Sequence, residues 1–184
     1  MSAEPLVVAV LGLGEAGSAI AADLCAAGAV VRGFDPRVPP GPGVTACAGD
    51  ADACQGASVV VSLTCAHEAE GALVAALPGI CRGAVYADLN TASSELKAHL
   101  AGLAAPAGVG FADVALMSPV PGNGLRTPML ASGPAAGRFA GLVGPLGQPR
   151  LQRGRRGVQV SEDGIGAERR QGGSQRTLRL VRTG

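Results

Sequence analysis

Tryptophan is absent from this chain of 184 residues, and its aromatic residues are Phe34, Tyr86, Phe111 and Phe139. With so little aromatic surface the core must be assembled from Ala, Val and Leu, and interleaved rings for stacking bases are missing. Histidine occurs only at His67 and His99. Neither pairs with a cysteine at zinc-like spacing, which argues against a metal site. Cys25, Cys47, Cys54, Cys65 and Cys81 form no C-x-x-C and no even framework. They read as small core hydrophobes in a reducing compartment. No basic stretch precedes the N-terminal apolar run, which is too short for a signal-peptide core or a membrane span. These absences predict a cytoplasmic protein without membrane association.

The informative stretch is the start. The apolar run Leu6 to Leu11 leads directly into Gly12-Leu13-Gly14-Glu15-Ala16-Gly17, and Ile20, Leu24 and Ala27 then recur at helical spacing. This is the order strand, glycine loop, helix. Gly12 permits a tight turn, Gly14 removes a side chain where a diphosphate must approach the backbone, and Gly17 lets the helix pack on its strand. The free N–H groups and positive end of that helix face the phosphates. Glu15 suits the helix dipole but would repel a phosphate, so it is expected to point to solvent. A second apolar run, Ala29 to Phe34, ends in Asp35, 18 residues beyond Gly17. That is close to the spacing at which an acid reaches the adenosine ribose hydroxyls. The residues therefore predict a βαβ unit that binds a dinucleotide, NAD or NADP. Asp35 favours a free 2′-hydroxyl, while Arg37 could neutralise a 2′-phosphate or be a solvated loop charge. A methyltransferase would also use a glycine loop and an acid after the second strand.

Strand-like and helix-like runs alternate up to about Leu146, as a doubly wound α/β sheet requires. After Asp35 the pattern predicts a short strand at Val44-Thr45-Ala46, a central strand over Ala57 to Thr64 and a helix from Glu68 to Leu77. A strand over 83–88 follows, then a helix capped within Asn90 to Glu95 and carrying Leu96, Leu100 and Leu103, and a strand from Val109 to Val114. The segments Asp88-Leu89-Asn90-Thr91 and Asp113 to Gly122 should share the carboxyl edge with the glycine loop, where they could enclose a small polar substrate. Taken singly, they read as a helix cap and a proline-stiffened turn.

Together these segments resemble the β-hydroxyacid dehydrogenase superfamily, which includes 3-hydroxyisobutyrate and 6-phosphogluconate dehydrogenases. The match is to its NAD(P)-binding domain. Gly12 to Gly17 with Asp35 is similar to the cofactor fingerprint, Asp88-Leu89-Asn90-Thr91 to the family's Asp-x-Ser/Asn-Thr segment, and 111–120 to its Asp-Ala-Pro-Val-Ser segment. Residues 124–130 sit where members carry a Gly-Thr-Leu strand. The resemblance implies a Rossmann-type doubly wound parallel sheet and NAD(P)-dependent chemistry on the CH–OH group of a small hydroxy acid. It implies that Leu63, Thr64 and Asn90 line the cofactor, that Asn90, Thr91 and Ser118 line the substrate, and that the whole enzyme is a homodimer. Members take their acid/base from a lysine on a long helix after the cofactor domain. The one lysine here, Lys97, lies well before that region. His67 and His99 read as surface helix residues, so the catalytic group is unassigned. A non-catalytic NAD(P)-binding module is the competing expectation.

Residues 1–149 carry 6 Lys+Arg against 11 Asp+Glu, net −5, whereas 150–184 carry 9 Arg against 3 acids, net +6. The sequence divides accordingly into an NAD(P)-binding domain over 1–146 and a basic Arg/Gly-rich tail over 147–184, expected to be unstructured. No recognition fold accompanies the arginines, so nucleic acid is not an expected partner. The tail's composition and the abrupt loss of pattern are what GC-rich coding DNA yields when read out of register. The expectation is a truncated or frameshifted C-terminus.

Overall fold

The computed structural model describes residues 4–147 and, for the backbone alone, residues 159–161. The expectations for the basic tail otherwise lie outside the described residues. In chain order the strands are β1 (Val7–Leu11), β2 (Val30–Phe34), β3 (Val44–Ala46), β4 (Val59–Ser62), β5 (Val85–Asp88), β6 (Gly110–Leu116), β7 (Met129–Ser132) and β8 (Gln159–Ser161). The helices are α1 (Glu15–Ala26), α2 (Asp50–Cys54), α3 (Ala69–Ala76), α4 (Ser94–Ala104) and α5 (Ala136–Val143). The strands form one sheet in the order β3-β2-β1-β4-β5-β6-β7-β8. β1 to β6 are parallel, β7 runs antiparallel to β6, and β8 is parallel to β7. The first six strands thus have the order of a dinucleotide-binding sheet, with its switch point between β1 and β4.

Alternation along each strand divides the core between two faces. Val8 and Val10 of β1, Val59 and Val61 of β4, and Val85 and Ala87 of β5 pack with Ile20 and Leu24 of α1 and Phe139 of α5. Ala9, Leu11, Val60 and Tyr86 pack on the other face with Cys54 of α2, Leu73 of α3 and Leu100 of α4. Tyr86 and Phe111, cross-strand neighbours, stack at 6.2 Å between ring centroids. Half of the chain's aromatics are spent on one contact, and the rest of that layer is mostly aliphatic, with Phe34 at its margin.

Several boundaries differ from the sequence pattern. Ala27 is the exposed C-cap of α1, and the buried face is Gly17, Ile20, Ala21 and Leu24. The five-residue α2 is too short to show a period; the Arg32 guanidinium donates to the main-chain oxygens of Asp52 and Ala53 at its C-terminal end and pairs with the Asp52 carboxylate at 2.8 Å. α4 is capped by Ser93, whose Oγ accepts from the Leu96 amide at 3.3 Å, so Asn90 is free of capping duty. α5 and β7 follow a tight excursion beyond β6 that local pattern does not announce. No helix among the described residues is long and apolar enough to cross a membrane.

The cysteines are free, but only Cys54 is a buried core residue; Cys81 is exposed, and Cys25, Cys47 and Cys65 lie between. Burial, seconded by the nearby Asp50 charge, pushes the Cys54 thiol up to about 12. Alkylation at pH 8 should therefore modify Cys81 readily and leave Cys54 unmodified until the protein is unfolded, as mapped by peptide mass spectrometry.

Candidate functional site

Three backbone segments meet at the carboxyl end of β1. Gly12 turns with φ +89°, and a Cβ built on it would lie 2.3 Å from the Leu63 carbonyl oxygen. A Cβ on Gly17 would lie 1.9 Å from the Gly12 carbonyl oxygen. Glycine at both positions is thus imposed by the protein's own main chain. Gly14 is different: a Cβ there meets nothing within 4 Å, and as N-cap of α1 it supplies no side-chain cap. The first amides of a twelve-residue helix therefore open onto free space, an arrangement suited to an anion. Glu15 is exposed, as expected.

Asp35 follows β2 and reaches back to this loop. Its Oδ2 accepts from the Leu13 amide at 2.8 Å, and its Oδ1 accepts from the amides of Arg37 at 2.8 Å and Val38 at 3.0 Å. Desolvation acts to raise its pKa, but the three amide donors and the Arg37 charge outweigh it, and the net shift is downward. Asp35 is half-buried, so the carboxylate organises the loop while keeping an open side. Arg37 does not turn toward the glycine loop. Its guanidinium pairs with Glu68, just before α3, at 3.0 Å, with 70% of the Arg37 side chain exposed. Such a pair is worth about 0–1 kcal/mol and is easily exchanged for another anion.

Leu63 and Thr64 leave β4 beside Gly12, half-buried, with the Leu63 amide donating to Leu11 O at 2.8 Å. Beyond them the side chains of Cys65, His67 and Glu68 lie within 4.8 Å of one another. The Cys–x–His–Glu spacing was legible in the sequence, but a search for zinc-like pairs passes over it. Glu68 is shared: the Cys65 thiol donates to it at 3.0 Å while Arg37 pairs with it, and its pKa is lowered, by the thiol bond first.

Further along the edge, register aligns Leu11, Ser62, Asp88 and Asp113 on adjacent strands. By alternation all four project to the face covered by α2, α3 and α4. The Asn90 Nδ2 donates to Ser62 Oγ at 3.2 Å and to Asp88 Oδ1. Above them lies the residue that sequence reading left unused. Lys97 of α4 is buried, donates to Asp88 O at 2.9 Å, and sits 2.8 Å from Asp88 Oδ2 and 2.7 Å from Asp113 Oδ1. The Oδ2 contact is a charge contact without hydrogen-bond alignment. The Tyr86 hydroxyl is buried beneath, beside Ser62, and burial pushes its pKa up.

The expected substrate residues are therefore only partly assembled. Asn90 is buried in this cluster, Thr91 is exposed, and Ser118 is half-buried beyond β6. The excursion holding Ser118 crosses to the opposite face: Val120 joins the core there, and the Leu125 amide donates to Asp23 of α1 at 2.9 Å. No side-chain hydrogen bond among the described residues joins Ser118 to Thr91 or Asn90.

Strand order, glycine turn and acid after β2 together define a Rossmann-type dinucleotide-domain fold. No family model and no curated protein sequence matches the chain. Among solved structures, a conserved hypothetical protein from Sinorhizobium meliloti 1021 is 26% identical with a TM-score of 0.71, over 85% of this chain and 53% of its own. MTH1747, a conserved protein of unknown function described as structurally similar to 3-hydroxyacid dehydrogenases, is 24% identical with a TM-score of 0.67, over 85% of this chain and 58% of its own. The Mycobacterium tuberculosis 3-hydroxyisobutyrate dehydrogenase, solved with L-serine, is 23% identical with a TM-score of 0.69, over 85% of this chain and 54% of its own. The structural neighbours are thus 3-hydroxyacid dehydrogenase-like proteins and related oxidoreductases, imine reductases among them. The chain spans about half the length of the proteins it matches.

Two stability outcomes follow from the site. Gly17→Ala should cost at least about 1–3 kcal/mol by overpacking, whereas Gly14→Ala should cost no more than about 1 kcal/mol, the loss of a tolerated N-cap; urea unfolding separates them. Because the Asp35 pKa is lowered on folding, its contribution to stability is present above the unfolded value of about 3.9 and lost as pH falls through the folded value. Melts from about pH 5 downward should show Asp35→Asn less acid-sensitive than the parent.

Proposed function

We propose that the chain binds a nicotinamide dinucleotide across the carboxyl ends of β1, β2 and β4. We propose further that residues 1–146 are the cofactor-binding domain of an NAD(P)-dependent oxidoreductase of the β-hydroxyacid dehydrogenase superfamily, acting on the CH–OH group of a small hydroxy acid. The observation that carries the reading is the uncapped N-terminus of α1 with open space above Gly14, beside a carboxylate fixed on the Leu13 amide. Gly12, Leu13, Gly14, Glu15, Ala16 and Gly17 form the diphosphate loop, and Asp35 takes the ribose hydroxyls with its open side. Leu63, Thr64 and Asn90 line the cofactor, and Asn90 and Thr91 lie on the substrate side, away from the excursion that carries Ser118. A bound nicotinamide would supply hydride exchange; this chain's residues hold and orient it. Solved neighbours bound to NADP+ and NAD+ support a nicotinamide cofactor. The free cysteines support a reducing setting such as the cytoplasm.

Asp35 makes NAD the preferred partner, because an ionised carboxylate repels a 2′-phosphate. Arg37 is held only by an exposed pair with Glu68 and offsets that repulsion in part. A second reading, a dinucleotide-binding module without turnover of its own, is favoured by the state of Lys97. Buried between two carboxylates, that ammonium is unavailable as an acid/base for a substrate.

Fluorescence titration with NADH, NADPH and S-adenosylmethionine tests both readings. NADH should bind with enhanced emission and at least about tenfold tighter than NADPH, and Asp35→Asn should shrink that ratio. Gly14→Val should abolish binding while the fold survives. Binding of S-adenosylmethionine alone would overturn the proposal. Turnover of a β-hydroxy acid by this chain would overturn the module reading.

A further inference from the structure

A buried ammonium between two carboxylates is costly to desolvate, and its retention calls for a role beyond stability. Asn90 shares Asp88 with that ammonium. Its side chain is an amide with a donor end and an acceptor end, and only one end can face inward. Asp88, with no exposed surface, lies 2.8 Å from the Lys97 ammonium and presents its carboxylate oxygens as acceptors. The Asn90 Nδ2 must turn toward it, as it does, with the Ser62 hydroxyl as second partner. The Asn90 Oδ1 accepts no side-chain hydrogen bond among the described residues and is not among their fully enclosed, unpartnered atoms. It is the end that meets solvent at the strand edge.

We propose that Lys97 is a positioning residue that sets the polarity of Asn90: by keeping Asp88 an acceptor it turns the Asn90 oxygen outward, so that this position takes an N–H or O–H donor from the bound ligand. The donor comes from the dinucleotide or from its substrate, and the two sources are separable by experiment. The inference rests on the dinucleotide reading for its ligand, but not for the amide orientation. The charges that bear on Asp88 are Lys97 on α4 and Asp113 on β6, with the neutral Tyr86 hydroxyl below.

The test uses the full chain as the parent, as Asp88→Asn and as the Lys97→Met/Asp88→Asn double variant. In Asp88→Asn, nearly isosteric, the introduced amide turns its oxygen to Lys97 and its NH2 to Asn90, reversing the latter. In the double variant no ammonium competes for that oxygen, and it accepts from Asn90 again. NMR of the ligand-free protein, with the Asn90 side-chain amide assigned from its loss in Asn90→Ser, should show slow exchange in the parent and the double variant. Exchange should be fast in Asp88→Asn. NADH affinity should fall about tenfold in Asp88→Asn and recover to within about threefold in the double variant. If NADH affinity is unchanged throughout but a β-hydroxy acid added to the NADH complex follows this pattern, the donor belongs to the substrate.

Equal exchange in the parent and Asp88→Asn overturns the proposal, as does a double variant that is folded and no better than Asp88→Asn, which would make Lys97 a strut between β5 and β6. A parent that binds no NADH but shows the exchange pattern sinks the dinucleotide reading and leaves the amide assignment standing.

Discussion

The contact that organises this molecule is made entirely of main chain: the Leu63 carbonyl at the exit of β4 lies against Gly12, and the Gly12 carbonyl lies against Gly17 of α1. A methyl group at either glycine would have to displace backbone, not a yielding side chain. Because β1, β4 and α1 meet without intervening side chains, the helix can start directly above the sheet edge. Its amides then open onto the space above Gly14. Parallel register carries the same level across the sheet, so that Ser62, Asp88 and Asp113 end in a row with Leu11.

Along that edge two carboxylates are held in opposite ways. Asp35 is held by three backbone amides and keeps one side open, and the amides outweigh desolvation. Asp88 is fully buried and depends on the Lys97 ammonium and the Asn90 amide. The first arrangement leaves room for a ligand's own hydroxyl groups. The second fills its space with protein and exposes one chosen end of one amide. The β1–β2 end is thus an open cradle, and the β5–β6 end a preset polar wall.

The sequence was most legible where close main-chain packing demands glycine and where strands are buried. β1, α1, β2 and β3 lie close to their expected positions because Val-rich runs, glycines and Asp35 carry their reasons locally. α2 was not legible: five residues cannot show a period, and Arg32, twenty residues away in the chain, ties down its last carbonyls. The cap of α4 falls within the expected Asn90 to Glu95, but the pattern could not choose among Asn90, Thr91 and Ser93; burial decided, taking Asn90 into the Asp88 cluster and leaving Ser93 to the helix. Ser118 and Thr91 carried a family-like pattern, yet the turn after β6 is pulled to α1 by Asp23, on the face opposite Lys97.

From its order of residues alone the chain determined an alternating α/β sheet, a side-chain-free bend and an acid placed one strand away, since each depends on neighbours close in sequence or on a fixed spacing. Only tertiary structure decided what its one lysine does. Nothing local distinguishes Lys97 from a solvated helix lysine; it becomes a buried cation because β5 and β6 set Asp88 and Asp113 side by side beneath α4. Such a charge persists only where oxygens from separate strands replace the water it has lost.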